Sequence, residues 1–182
     1  MNERGDGISM EDLLAASQEI QETGNTYKVP GDQHIMHLLA SLAREADVEF
    51  GHKGLDMVGR AIVRFGEERG QRIARLVREA SRPLTLMNFF IFGDLDVSGN
   101  EMTPELVDGE LHIRVTRCRL ADKLKELGLE KYAEHYCKYI DVALLNGYNP
   151  KLQLEVKSQL TRGGDCCHFI YRQPSGSVKT QG

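Results

Sequence analysis

The chain has 182 residues, 41% hydrophobic and 27% charged, a size and balance suited to one globular domain with its own core. A formal net charge of -4 and a pI near 5.9 argue against broad nucleic-acid binding, which needs a basic surface to neutralise phosphates. No apolar run approaches the ~20 residues of a membrane span, and Met1-Asn2-Glu3-Arg4 opens no signal-peptide core, so a cytoplasmic setting without membrane contact is expected.

In chain order, Ser9 followed by Glu11 and Asp12 resembles a helix N-cap, and the spacing predicts a helix to about Glu22, ended by Gly24-Asn25. Asp32 opens a second helix whose apolar stripe is Ile35, Leu38, Leu39 and Leu42. A long helical stretch follows through Leu55, Val58, Ile62, Ile73 and Val77, with Gly66 and Gly70 as points of bending or breakage and Pro83 as its stop. Leu84–Phe92 is densely apolar and reads as a buried strand. Asp94–Asn100 is rich in turn residues. Glu110–Arg117 alternates, with Leu111, Ile113 and Val115 on one face, and predicts a strand that ends at Cys118.

A short helix through Leu120, Leu124 and Leu127 stops at Gly128, and a second runs from Glu130 to Asn146-Gly147. The strand carrying Leu152, Leu154, Val156, Ser158 and Leu160 then turns through Thr161–Asp165 into a partner strand with Cys167, Phe169 and Tyr171 on one face. The fold class expected is α+β: N-terminal helices packed on an antiparallel β-sheet with an inserted helical pair. Residues 1–30 are expected to form an N-terminal helix and linker, 31–172 a single domain, and 173–182 a disordered polar tail.

All four cysteines follow residue 117. In a reducing compartment such residues are buried small hydrophobes, metal ligands or nucleophiles. Cys137 and Asp141 are four apart on one predicted helix and so share a face. With Cys118 before the helical pair and Cys167 on the last strand, they form one candidate site in which a thiolate attacks an electrophilic carbon and a carboxylate moves a proton. Cys118, Cys137 and Cys167 also leave open a zinc or iron shell, although no Cys-x-x-Cys knuckle is present, and core filling by the three cysteines stands beside both. Cys166 and His168 face away from Cys167 by strand alternation.

The ordered run of Cys118, Gly128, Tyr136-Cys137-Lys138-Tyr139-Ile140-Asp141, Leu160-Thr161-Arg162-Gly163-Gly164-Asp165 and Cys166-Cys167-His168-Phe169 resembles the L-2-amino-thiazoline-4-carboxylic acid hydrolase family. Phe65-Gly66-Glu67-Glu68-Arg69-Gly70 and Arg82-Pro83-Leu84-Thr85 are in keeping with it. The chain departs from the family pattern at His168, where an acidic residue is frequent, and at Arg119, where a small residue or Pro is expected.

The resemblance implies hydrolytic opening of a small cyclic amidine at a C–N bond. Cys137 or Cys167 would be nucleophile or ligand, Asp141 the acid/base or orienting group, and Arg114, Arg117 or Arg162 the partner of a substrate carboxylate. The implied partner is a small-molecule substrate, with no cofactor required and homo-oligomerisation left open. A distant similarity to four-vinyl reductase and haem-nitric-oxide-binding domains implies the alternative of a non-enzymatic small-molecule- or metal-binding sensory domain using the same cysteines.

Overall fold

The computed structural model describes residues 31–174 together with Glu11, Leu14 and Ala15. Two units, Met1–His34 and Ile35–Gly182, divide the chain, and the architecture below is that of the second. The helix expected over residues 9–22 lies outside the described residues apart from those three, as does the tail beyond Pro174.

Helix α1 (Gly31–Phe50) buries Met36, Ala40, Ala43 and Ala46. The expected stripe is largely on the other side, with Ile35 66%, Leu38 57% and Leu42 57% exposed. Small residues on the buried face explain the difference: three alanines let α1 lie close to its neighbours, where leucines at those positions would hold it off.

Helix α2 (His52–Glu79) is one uninterrupted helix of 28 residues, so Gly66 and Gly70 neither break nor end it. Their role is close approach to α5 (Glu130–Tyr148). A Cβ on Gly70 would sit 2.1 Å from the Leu144 carbonyl oxygen, and one on Gly66 2.8 Å from the Ala143 methyl. Gly147 makes the reciprocal contact, its absent Cβ leaving room for the Glu67 carbonyl. That packing role also explains why α5 continues through Asn146-Gly147 to Tyr148 instead of stopping there.

Leu84–Phe92, expected as a buried strand, is instead helix α3 (Leu86–Ile91). Three hydrogen bonds hold its N-terminus. The Thr85 hydroxyl accepts from the Asn88 N–H at 3.3 Å, Gln173 Oε1 accepts from Leu86 N–H at 2.8 Å, and Asn88 Nδ2 donates to the Pro83 carbonyl at 2.8 Å. The first two bonds satisfy N–H donors that a helix start leaves orphaned, the third ties Asn88 to the preceding segment, and only Asn88 and Phe89 become buried. Gln173, assigned to the tail by composition, is thus bonded to the fold.

The sheet is antiparallel throughout, in the order β1-β2-β4-β3. Strands β1 (Glu101–Val107) and β2 (Glu110–Arg117) are joined by Asp108-Gly109, both with positive φ, a two-residue hairpin turn. β1 is an exposed edge strand that contains Pro104, and it carries no alternating buried residues by which to recognise it. Helices α4 (Arg119–Glu126) and α5 are inserted before β3 (Gln153–Ser158), a 3₁₀ turn at Leu160–Arg162, and β4 (Cys167–Arg172). Leu160 therefore lies in the turn rather than in the strand. Leu111, Ile113, Leu154, Phe169 and Tyr171 on the inner sheet face pack with Ile73, Val77, Leu145 and Tyr148 of the helices, giving the α+β layers expected. No described helix is long and apolar enough to cross a membrane.

Candidate functional site

Three strand and turn features bring the cysteine-bearing elements together. Val115 of β2 pairs with Cys167 of β4, so Cys118 follows just beyond the end of that ladder. The turn after β3 then bridges to both remaining elements. Gln159, itself buried, donates from Nε2 to the Cys137 carbonyl at 2.6 Å, and the Leu160 N–H donates to Cys167 Sγ at 3.4 Å. The Thr161 hydroxyl, buried and without a hydrogen bond of ordinary geometry, is directed at the Cys137 thiol and favours its ionised form.

Cys137 lies within electrostatic reach of Cys118, Asp141 and Cys167, and Cys167 within reach of Cys118 and Asp141. Burial pushes the Cys137 thiol up to about 12; the Asp141 charge adds to the rise, followed after the opposing Thr161 hydroxyl by Cys118 and Cys167. Cys167 is also raised, by burial first, with the Leu160 N–H opposing. Burial pushes the Asp141 carboxyl up to about 6, against the pull of the Arg69 charge. Asp141 is partly buried and lies on α5 one turn beyond Cys137. No hydrogen bond from the described residues reaches its carboxylate, whose oxygens keep contact with solvent.

Arg69 is the site residue that sequence reasoning passed over. It stands on α2 between Gly66 and Gly70, on the face where those glycines meet Ile140, Ala143 and Leu144 of α5. Burial works against its charge, and Asp94 more than compensates. Its Nε lies 2.9 Å from Asp94 Oδ1 and its Nη2 2.6 Å from the same oxygen. Arg69 also acts on Tyr136, whose hydroxyl burial pushes up to about 12. A charged residue among helix-packing glycines, inside the Phe65–Gly70 segment, was the available signal.

The three arginines suggested as carboxylate partners are engaged elsewhere. Arg117 bonds to Asp122 at 3.1 Å, Arg162 pairs with Glu134 at 3.1 Å, and Arg114 lies 3.4 Å from His168 Nδ1. His168 and its 3.2 Å neighbour His112 belong to the outer sheet face, away from Cys167. Because arginine can only donate, His168 Nδ1 accepts and its Nε2–H is left to donate to His112 Nδ1. Burial, then the Arg114 and His112 charges, hold the His168 pKa below its usual value. Cys166 is similarly set apart, its carbonyl accepting from the Ser158 hydroxyl at 2.7 Å.

Among the described residues no group of three or more His, Cys, Asp or Glu side chains is arranged to hold a metal ion, and the Cys118, Cys137 and Cys167 shell considered for zinc or iron is therefore not assembled. Two surface depressions are lined in part by residues of α2, α5 and the turn after β3. One, of about 500 Å³, is lined by Lys138, Val142, Val156, Gln159 and Arg162 among others, and the second, of about 430 Å³, by Arg60, Arg64 and Tyr139 among others.

No curated protein matches the chain. The family described as L-2-amino-thiazoline-4-carboxylic acid hydrolase matches residues 32–171, which include every residue of the site just described. Since that match spans well over half of the sequence, the chain belongs to the L-2-amino-thiazoline-4-carboxylic acid hydrolase family.

Proposed function

We propose that the protein hydrolyses a small cyclic amidine of the 2-amino-thiazoline-4-carboxylate type, with Asp141 as the proton-transfer group and water as the nucleophile. The observation that carries this reading is the Asp141 carboxyl itself: partly buried, without a hydrogen bond from the described residues, and pushed by desolvation up to about 6. A base with that pKa is ionised at neutral pH yet returns its proton readily, which suits one group acting first as base and then as acid.

Asp141 takes a proton from water as the oxygen adds to C2 of the ring. The tetrahedral carbon then collapses with cleavage of the ring C–N bond, and the proton held by Asp141 passes to the departing nitrogen. One water is consumed and a carbamoyl group remains on sulfur. A resting thiolate on Cys137 or Cys167 is opposed by burial and by the Asp141 charge, so Asp141 loses its proton well before either thiol. In this reading Cys137 and Cys167 stay neutral thiols beside Asp141, and the cysteine nucleophile suggested by the family resemblance gives way to water.

Turnover of 2-amino-thiazoline-4-carboxylate by the purified full chain tests this. Asp141→Asn is expected to lose at least ~100-fold in kcat, the usual contribution of a positioned acid–base group, while Cys137→Ser keeps most of its activity. Full turnover by Asp141→Asn, or loss on Cys137→Ser equal to that expected for Asp141→Asn, contradicts the assignment. Binding of the thiazoline without turnover supports the sensory-domain alternative.

A further inference from the structure

We infer that Arg69 is the residue that recognises a carboxylate on the ligand of this site, through the edge of its guanidinium that faces away from Asp94. The inference rests on the hydrolase reading for the identity of the ligand, but not for the existence of the anion site.

A guanidinium carries five N–H donors. In Arg69 the Nε donor and one Nη2 donor are held by the Asp94 carboxylate, at 2.9 and 2.6 Å to Oδ1. The two Nη1 donors and the second Nη2 donor have no acceptor among the described residues, although Arg69 is only 8% exposed. Nη1 is not among the fully buried unpartnered side-chain atoms, so this end of an otherwise buried guanidinium meets solvent, where an incoming acceptor can reach it. The vacant Nη1–Nη2 edge presents two parallel N–H groups, the fork that matches both oxygens of a carboxylate.

Position agrees with this. Gly66 and Gly70 hold α2 against α5 at Ile140–Leu144, which brings Arg69 into electrostatic reach of Asp141 and Tyr136. Asp94, itself also bonded to Arg72 Nη2, fixes the guanidinium plane, so the vacant edge is pre-oriented rather than mobile. A ring carboxylate docked there sets the amidine carbon at a fixed offset from Asp141, and the same contact selects substrates with an acid group over neutral ones.

The test compares two unreactive probes by calorimetric titration of the full chain: thiazolidine-4-carboxylate and thiazolidine-4-carboxamide. The wild type is expected to bind the carboxylate at least ~10-fold more tightly, the increment of a charge-assisted bidentate pair. Arg69→Gln should remove that preference and Arg69→Lys should restore part of it, since lysine keeps the charge without the fork. Persistence of the preference in Arg69→Gln, equal affinities in the wild type, or no binding of either probe overturns the inference. If Arg69→Gln fails to fold, an unchanged preference in Arg69→Lys overturns it instead. Thiazoline turnover without a carboxylate preference defeats the Arg69 assignment alone. An Arg69-dependent preference without turnover defeats the hydrolase reading alone.

Discussion

In the proposed reaction Asp141 is the proton-transfer group, and its raised pKa carries a cost in stability. Burial penalises its charged form and raises its pKa from 3.8 to about 6, while Arg69 limits the rise. A carboxyl whose folded pKa lies above its unfolded value holds its proton more tightly in the native state. Its contribution to stability is full below the unfolded value and is lost as pH rises toward 6. Asn cannot ionise and avoids the loss. Asp141→Asn is therefore expected to be more stable than the wild type at pH 8 by up to about 3 kcal/mol, with the gain vanishing below pH 4. Urea melts of both proteins at the two pH values check this; an equal gain at both would locate the effect in packing rather than in charge. Increased stability with lost activity is the signature expected of a residue retained for function.

At the scale of elements, the contact between α2 and α5 decides whether a site exists at all. Adding a methyl at Gly70 sets it against the Leu144 carbonyl and the Tyr148 amide, both backbone groups that cannot rotate away. Gly70→Ala is expected to destabilise by about 1–3 kcal/mol, even though alanine favours the helix itself by up to ~1 kcal/mol. Thermal denaturation reads the outcome, and a neutral or stabilising result would show that the helices can separate freely.

The same pair explains what was legible in the sequence. Periodicity reveals that α2 and α5 are helices, and alternation reveals β2 and β4, because each has one buried face. Periodicity is blind to contact, so two glycines that hold Arg69 near Asp141 look like helix breakers. Leu84–Phe92 misleads for a related reason: its apolar density suits a strand, but Thr85 and Gln173 supply caps, and the second of these comes from the far end of the domain. β1 is silent in the apolar pattern, and only the Asp108-Gly109 turn marks it. Spacing alone pairs Cys137 with Asp141, whereas the thiols' protonation depends on burial that no spacing conveys.

At the scale of the whole molecule, the order of elements assembles the site from distant parts of the chain. Cys167 comes from β4 and Cys118 from the residue just past β2, the inserted helix α5 supplies Cys137 and Asp141, and the long helix α2 supplies Arg69. The turn through Gln159–Thr161 ties the first two together with side-chain and backbone donors. The central claim is that this assembly works through a carboxylate and water rather than through a thiolate. The pH dependence of kcat/KM for 2-amino-thiazoline-4-carboxylate tests it most directly, because that profile reports the free enzyme's essential groups. The account predicts activity that rises with pH through about 6, as Asp141 ionises, and a rise unmoved in Cys137→Ser. A rise that appears only in the thiol range, above roughly pH 8, and disappears with Cys137 or Cys167 would contradict it.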